Sequence, residues 1–155
     1  MRKVVVILVS ALAFAGVYVF FAGGGKDIAF TEYELDEGSF KADTLAKIES
    51  ESGLQLPPGT KGLRFHYKPP IDPIVFAKIQ IPSESKDLMV KRLDKMQEFS
   101  GKFYSDFANS RCNWFPAAVT NGIATKFSTK GAFYIQAHLV QESDKVILYL
   151  KYFTI

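Results

Sequence analysis

The sequence predicts an α+β fold in which an N-terminal transmembrane helix precedes one domain with a mainly antiparallel sheet and a long helix packed on it. Three observations support this fold class: an uncharged apolar run near the N terminus, several segments of alternating hydrophobicity, and one apolar repeat of helical period. The predicted order of elements after the transmembrane helix is α-β-β-α-β-β-β, which is typical of a two-layer α+β sandwich.

The first 25 residues resemble a membrane anchor. Arg2 and Lys3 precede an apolar run at residues 4–22, and three glycines follow it. As a helix this run is about 28 Å long, close to the ~30 Å thickness of a hydrocarbon core. We therefore predict a signal-anchor helix and Gly linker at residues 1–25, with the lipid bilayer as a partner of residues 4–22. A cleaved secretory signal is the alternative.

The charges that flank this run predict its orientation. Arg2 and Lys3 lie before it, whereas the residues after Lys26 are mainly acidic. Basic flanks stay on the cytoplasmic side. In a bacterium this predicts a single-pass inner-membrane protein with a cytoplasmic N-terminus and a periplasmic C-terminal domain. The single Cys112 leaves the exported domain without an internal disulfide.

Composition predicts the domain organisation and excludes one class of partner. Residues 26–41 are acidic and are predicted to form an extended tether, and residues 42–155 are predicted to form the exported α+β domain. The net charge of +3 includes Arg2 and Lys3, so the domain is close to neutral. Nucleic-acid binding needs a dense Lys/Arg surface, and we therefore predict no nucleic-acid partner.

The first predicted helix begins near Asp43, which is predicted to be its N-cap, and ends at Gly53. Residues 62–68 then alternate in polarity, which predicts a half-buried strand. One face of that strand is predicted to carry Leu63, Phe65 and Tyr67.

Three prolines within residues 69–73 predict a rigid turn, and residues 74–81 predict the next strand. A long helix is predicted over residues 89–107, because apolar side chains recur at steps of three and four residues. Those side chains are Met89, Leu93, Met96, Phe99, Phe103 and Phe107.

Three further strands are predicted at residues 122–129, 132–141 and 145–153. A two-residue turn at Ser143-Asp144 would determine the register of the last two strands. The predicted pairs are Leu139 with Leu148, Ala137 with Leu150, Ile135 with Tyr152, His138 with Tyr149, Gln136 with Lys151 and Tyr134 with Phe153.

One face of this C-terminal hairpin is the predicted contact surface, because it combines aromatic rings with hydrogen-bonding groups, as interface centres do. Its residues are Tyr134, Gln136, His138, Tyr149 and Lys151. Asp72, in the proline-rich turn, is added as a candidate binding residue on a rigid loop. The alternative is an ordinary sheet face that is solvated or covered by the first helix.

A hydrolase is the enzymatic alternative, with His66 or His138 acting together with Asp72. The sequence contains none of the spacings of His and Cys that typify metal sites and no serine-nucleophile elbow. We therefore predict no metal, no cofactor and no catalytic residue in the leading interpretation. Cys112 lies among apolar aromatic residues, which favours a buried, unreactive thiol.

A third interpretation is an apolar-ligand or lipid binder. Its pocket would be lined by Phe99, Phe103, Phe107, Trp114 and Phe115, although such a stripe is also typical of a core. The leading hypothesis remains a membrane-tethered periplasmic binding domain for a protein or envelope partner. Accessory subunits of envelope complexes and immunity-type inhibitors are the candidate roles.

Overall fold

The computed structural model describes residues 31–69, 73–99, 112–116, 119 and 121–154, which belong to a compact unit spanning Thr31–Ile155. Its strands are β1 (Tyr33–Asp36), β2 (Lys61–Lys68), β3 (Ile74–Ile81), β4 (Gly122–Lys130), β5 (Phe133–Glu142) and β6 (Lys145–Thr154). Its helices are α1 (Ala42–Ser52), a 3-10 turn at Ser83–Ser85 and α2 (Lys86–Asp94).

All six strands form one antiparallel sheet in the order β1-β2-β3-β6-β5-β4. The chain therefore builds two three-stranded halves, β1-β2-β3 and β4-β5-β6, which meet where β3 lies beside β6. β1 falls inside the segment predicted to be an extended tether.

The register predicted for the C-terminal hairpin is confirmed. Ser143 has a φ of 53°, a left-handed conformation that suits a tight hairpin turn. Beyond it, all six predicted pairs are present: Leu139 with Leu148, Ala137 with Leu150, Ile135 with Tyr152, His138 with Tyr149, Gln136 with Lys151 and Tyr134 with Phe153.

The long helix predicted over residues 89–107 is wrong, because α2 ends at Asp94. Just beyond it, the backbone N–H of Phe99 donates a hydrogen bond to the carbonyl of Phe127 at 3.1 Å, and Glu98 forms an antiparallel bridge with Ser128. Pairing with the edge of β4 therefore replaces helical pairing, although the apolar repeat continues through this stretch.

The predicted membrane-spanning architecture also needs correction. The described helices α1 and α2 have 11 and 9 residues, and none that the structure describes is long and apolar enough to cross a membrane. The predicted anchor at residues 4–22 lies outside the described residues. The fold class is therefore corrected to a six-stranded antiparallel sheet with two short helices. The predicted single-pass inner-membrane location, with its cytoplasmic N-terminus and periplasmic domain, is not retained.

The main core lies between α1, α2 and the first face of the sheet. Its buried members include Ile48 of α1 and Met89 and Leu93 of α2. The sheet contributes Phe65, Val75, Ala77, Ile79, Ile81, Ile135, Ala137, Leu139, Val146, Leu148, Leu150 and Tyr152.

The second face of the sheet is also covered in part. Cys112 and Phe115, from the irregular segment before β4, are buried there against Phe76, Val140, Ile147 and Tyr149. A register irregularity between Gly62 and Arg64 turns Leu63 toward this second cluster. The predicted strand face of Leu63, Phe65 and Tyr67 is therefore divided between the two sides.

Candidate functional site

The sequence-predicted contact residues come together on the second face of the sheet. His138 lies opposite Tyr149, and Gln136 lies opposite Lys151. These four side chains are buried, however, with exposures of 7%, 6%, 6% and 0% respectively, and Tyr134 is half-buried. The face is therefore an internal polar layer, and a contact role for it remains a prediction.

A chain of polar contacts crosses this layer at His138. Thr125 Oγ1 lies 3.0 Å from His138 Nδ1, and Gln136 Nε2 lies 2.6 Å from His138 Nε2. Both ring nitrogens are thus engaged by the chain's own side chains. Burial, and then the positive charge of Lys151, lower the pKa of His138, which favours the neutral ring.

A second polar group lies at the end of the same face. Glu142 accepts a hydrogen bond from Tyr149 and another from Lys78 Nζ at 2.8 Å. Burial alone would raise the pKa of Glu142, but these two hydrogen bonds outweigh burial and lower it. Burial and the bond to Glu142 raise the pKa of Tyr149. Lys78 and Glu142 therefore form an ion pair to which the hydroxyl of Tyr149 is also hydrogen-bonded.

Phe115 fills the space between these two polar groups. Its ring centroid lies 5.3 Å from that of Phe76, 5.8 Å from that of Tyr149 and 6.4 Å from that of His138. Nearby, Lys151 Nζ lies 6.0 Å from the Phe76 ring centroid and 5.8 Å from that of Phe153. Rings of the protein itself therefore occupy the centre of this face.

His66, the second histidine, lies on β2, opposite Glu34 of the edge strand β1. Its Nε2 is 2.7 Å from Glu32 Oε1, and its Nδ1 is 3.6 Å from Glu34 Oε1. The ring is only 2% exposed, and Nδ1 is buried. A general base needs a nitrogen that reaches the substrate, and this geometry directs the two nitrogens toward Glu32 and Glu34 instead.

The other predicted candidates divide between described and undescribed residues. Burial raises the pKa of the Cys112 thiol to about 11, which keeps it protonated. Asp72, Phe103 and Phe107 lie outside the described residues. The ring of Phe99 packs edge-on against Tyr134, with the centroids 5.0 Å apart.

A groove that sequence reasoning missed lies between the loop after α1 and the flank of α2. It has a volume of about 640 Å³. Its lining residues are Glu49, Ser50, Gly53, Gln55, Leu56, Pro58, Arg92 and Lys130. A smaller pocket of about 200 Å³ adjoins it and adds Lys95 and Met96 to the lining. The two depressions share Gly53, Gln55 and Arg92, and we call them together the α2 groove.

Two cations hold the walls of the α2 groove. Arg92 donates a hydrogen bond to the carbonyl of Gln55 at 3.1 Å, and Lys130 donates one to the carbonyl of Ser50. Gly53 ends α1 with a φ of 72°, and a Cβ atom there would lie 2.7 Å from Lys130 Cδ. The glycine therefore lets the Lys130 side chain cross the end of the helix.

Leu88 lies on α2 one helical turn before Arg92, a lining residue of the groove. Within the described part of the chain it is the one large hydrophobic residue recorded as exposed, at 42%. Leu88, Arg92 and Lys95 are spaced i, i+4 and i+7, which puts them on one side of the helix. The sequence signal for this stripe is an apolar residue out of phase with Met89 and Leu93.

Comparisons with known proteins add no assignment: the chain matches no protein-family model, no curated protein and no solved structure. Among the described residues, no group of three or more His, Cys, Asp or Glu side chains is arranged to hold a metal ion.

Proposed function

We propose that this chain is a protein-binding domain that docks a segment of a partner in the α2 groove. The observation that carries the proposal is an open groove of about 640 Å³ whose lining residue Arg92 lies one helical turn after the exposed side chain of Leu88. Interfaces commonly place an apolar anchor beside a polar, hydrogen-bonding rim.

The walls of the groove suit docking because they are held in place before any partner arrives. Arg92 and Lys130 each bond to a carbonyl of the α1 end or the loop after it, and Glu49 Oε1 accepts a hydrogen bond from the N–H of Leu56 at 2.6 Å. These contacts connect α1, α2 and β4 around one depression. A preformed surface loses less entropy on binding.

The polar layer on the second face supports this choice of surface. Its threonine and glutamine both bond to its histidine, and Tyr149 and Lys78 bond to Glu142. A partner docking there would have to displace Phe115 from its contacts with Phe76 and Tyr149. The α2 groove requires no such rearrangement.

The hydrolase alternative draws no support from the two histidines. His138 has both nitrogens engaged, and the only nitrogen of His66 without a hydrogen bond is buried. Phe115 and Phe99, from the proposed apolar-ligand pocket, pack against rings of the chain itself. An accessory subunit or a bound inhibitor would both use a docking groove of the kind proposed.

Site-specific photocrosslinking tests the proposal. The full chain carries a photoreactive amino acid at position 88 in one variant and at the exposed position 37 in the matched control. We expect an adduct of defined mass from position 88 that is absent from position 37. Equal labelling at both positions, or none at position 88, would contradict docking beside α2.

A further inference from the structure

We propose that the segment docked in the α2 groove is extended and acidic, with an apolar residue seated on Leu88. This inference rests on the proposed function and names the chemistry of the partner.

The charged side chains that line the groove are mainly cationic, which favours an acidic partner. Its lining includes three cationic side chains, Arg92, Lys95 and Lys130, and one carboxylate, Glu49. One oxygen of Glu49 already accepts the N–H of Leu56. Arg92 donates to Gln55 through one of its five N–H groups, so its planar fork keeps further donors for a carboxylate.

The end of α1 also affects the charge of the groove, because the C-terminal end of a helix carries partial negative charge. Here that charge is offset by contacts within the chain. The carbonyl of Ser50 accepts Lys130, and the carbonyl of Glu49 accepts the N–H of Gly53 at 2.8 Å. The acids of α2, Asp87 and Asp94, lie on the opposite flank of the helix from Arg92.

The spacing of Leu88 and Arg92 along α2 matches the spacing of alternate residues in an extended peptide. A helix rises ~1.5 Å per residue, so Leu88 and Arg92 are about 6 Å apart along the axis. Alternate residues of an extended peptide are separated by about 6.6 Å and point the same way. An apolar residue and an acidic residue two positions apart in the partner would therefore meet Leu88 and Arg92 together. Lys95 continues the stripe by about 4.5 Å.

Selection from a display library of random 12-residue peptides tests this chemistry. The full chain is the bait, and the enriched peptides are then synthesised and titrated by fluorescence anisotropy. We expect enriched peptides to combine an apolar residue with Asp or Glu two positions away. Their affinity should fall steeply with added salt.

Two exposed lysines at the ends of α2 give a matched pair of charge reversals. Lys95→Glu changes the groove side, and Lys86→Glu makes the same change nine residues earlier, half a turn away around the helix. We expect Lys95→Glu to weaken binding about fivefold or more, with Lys86→Glu close to wild type. Replacing the acidic residues of the peptide by Gln should reproduce that loss.

Leu88→Ser separates failure of this inference from failure of the proposed function. If binding depends on Leu88 but Gln-substituted peptides and Lys95→Glu retain full affinity, the groove binds segments but the acidic class is wrong. If no enriched peptide depends on Leu88, both the docking surface and the acidic partner are overturned.

Discussion

The hydroxyl of Tyr152 donates a hydrogen bond to Glu51 Oε2 at 2.6 Å. Tyr152 lies on the first face of β6 and is 1% exposed, whereas Glu51 lies on α1. Glu51 also pairs with Lys47 one helical turn earlier, at 2.9 Å. One contact therefore ties the helix that borders the α2 groove to the centre of the sheet.

Tyr152→Phe should lower the free energy of unfolding by about 1–2 kcal/mol, because it removes a hydrogen bond to a charged group and leaves no cavity. Urea denaturation followed by circular dichroism measures the loss. Lys47→Ala is the control, since it removes the ion pair of the same Glu51 but keeps the bond to Tyr152, and it should cost less than about 0.5 kcal/mol because Lys47 is exposed. Equal losses in the two variants would show that the bond to Tyr152 contributes little.

Leu148→Ala and Tyr149→Ala should both destabilise the fold, because the two faces of β6 are both covered. Leu148 is fully buried in the main core, so its truncation should cost about 2–5 kcal/mol. Tyr149, which the sequence placed on a contact surface, is instead buried against Phe115 and bonded to Glu142, so its truncation should cost roughly 3–5 kcal/mol. Thermal melts that leave Tyr149→Ala near wild type would contradict the covered second face.

His138 should make the protein less stable as the pH falls below about 6.5. Burial and Lys151 lower its pKa in the folded state, so the unfolded chain takes up a proton first. Stability therefore declines as the pH drops from the unfolded pKa toward the lowered folded value.

Urea midpoints measured from pH 8 to pH 5 for wild type and His138→Gln test this linkage. The variant should be less stable at high pH but should lack the histidine's contribution to the slope. Parallel profiles for the two proteins would mean that protonation of His138 is not linked to folding.

Gly53→Ala should be more destabilising than Gly131→Ala, although both glycines have a positive φ, 72° and 58°. Each alanine should cost about 1–2 kcal/mol for the left-handed backbone. Only at Gly53 would the new Cβ also strike Lys130 Cδ, whereas at Gly131 it meets nothing within 4 Å. Comparing the two unfolding free energies isolates the cost of displacing Lys130 from the end of α1.

Local sequence rules predicted much of the sheet. The strand at Ile74–Ile81 and the turn at Ser143-Asp144 depend on alternation and on a short hairpin connection, which act between near neighbours. Gly53 ended α1 as expected, because a left-handed residue is a local stop signal.

The errors arose where distant contacts decide the structure. The sequence repeat through Met96 and Phe99 predicted a helix, but the chain pairs with β4 at Glu98 and Phe99 instead. The periodicity of a sequence does not reveal pairing with a distant strand. The α2 groove was missed for the same reason. It is assembled from α1, α2 and the end of β4, so Lys130 comes close to Ser50 only after the chain has folded.

The pairing of β3 with β6 determines which step of folding is slow. On either side of it, antiparallel neighbours such as β2 with β3 and β5 with β6 form by local hairpins, which take about 1–10 μs. Where β3 pairs with β6, Ile79 must come next to Leu148. This loop closure is slow because a long stretch of chain lies between the two residues. Folding should therefore be limited by the meeting of two partly formed halves. Until they meet, each half presents an unpaired central edge, and that is the stage at which this protein is most exposed to aggregation.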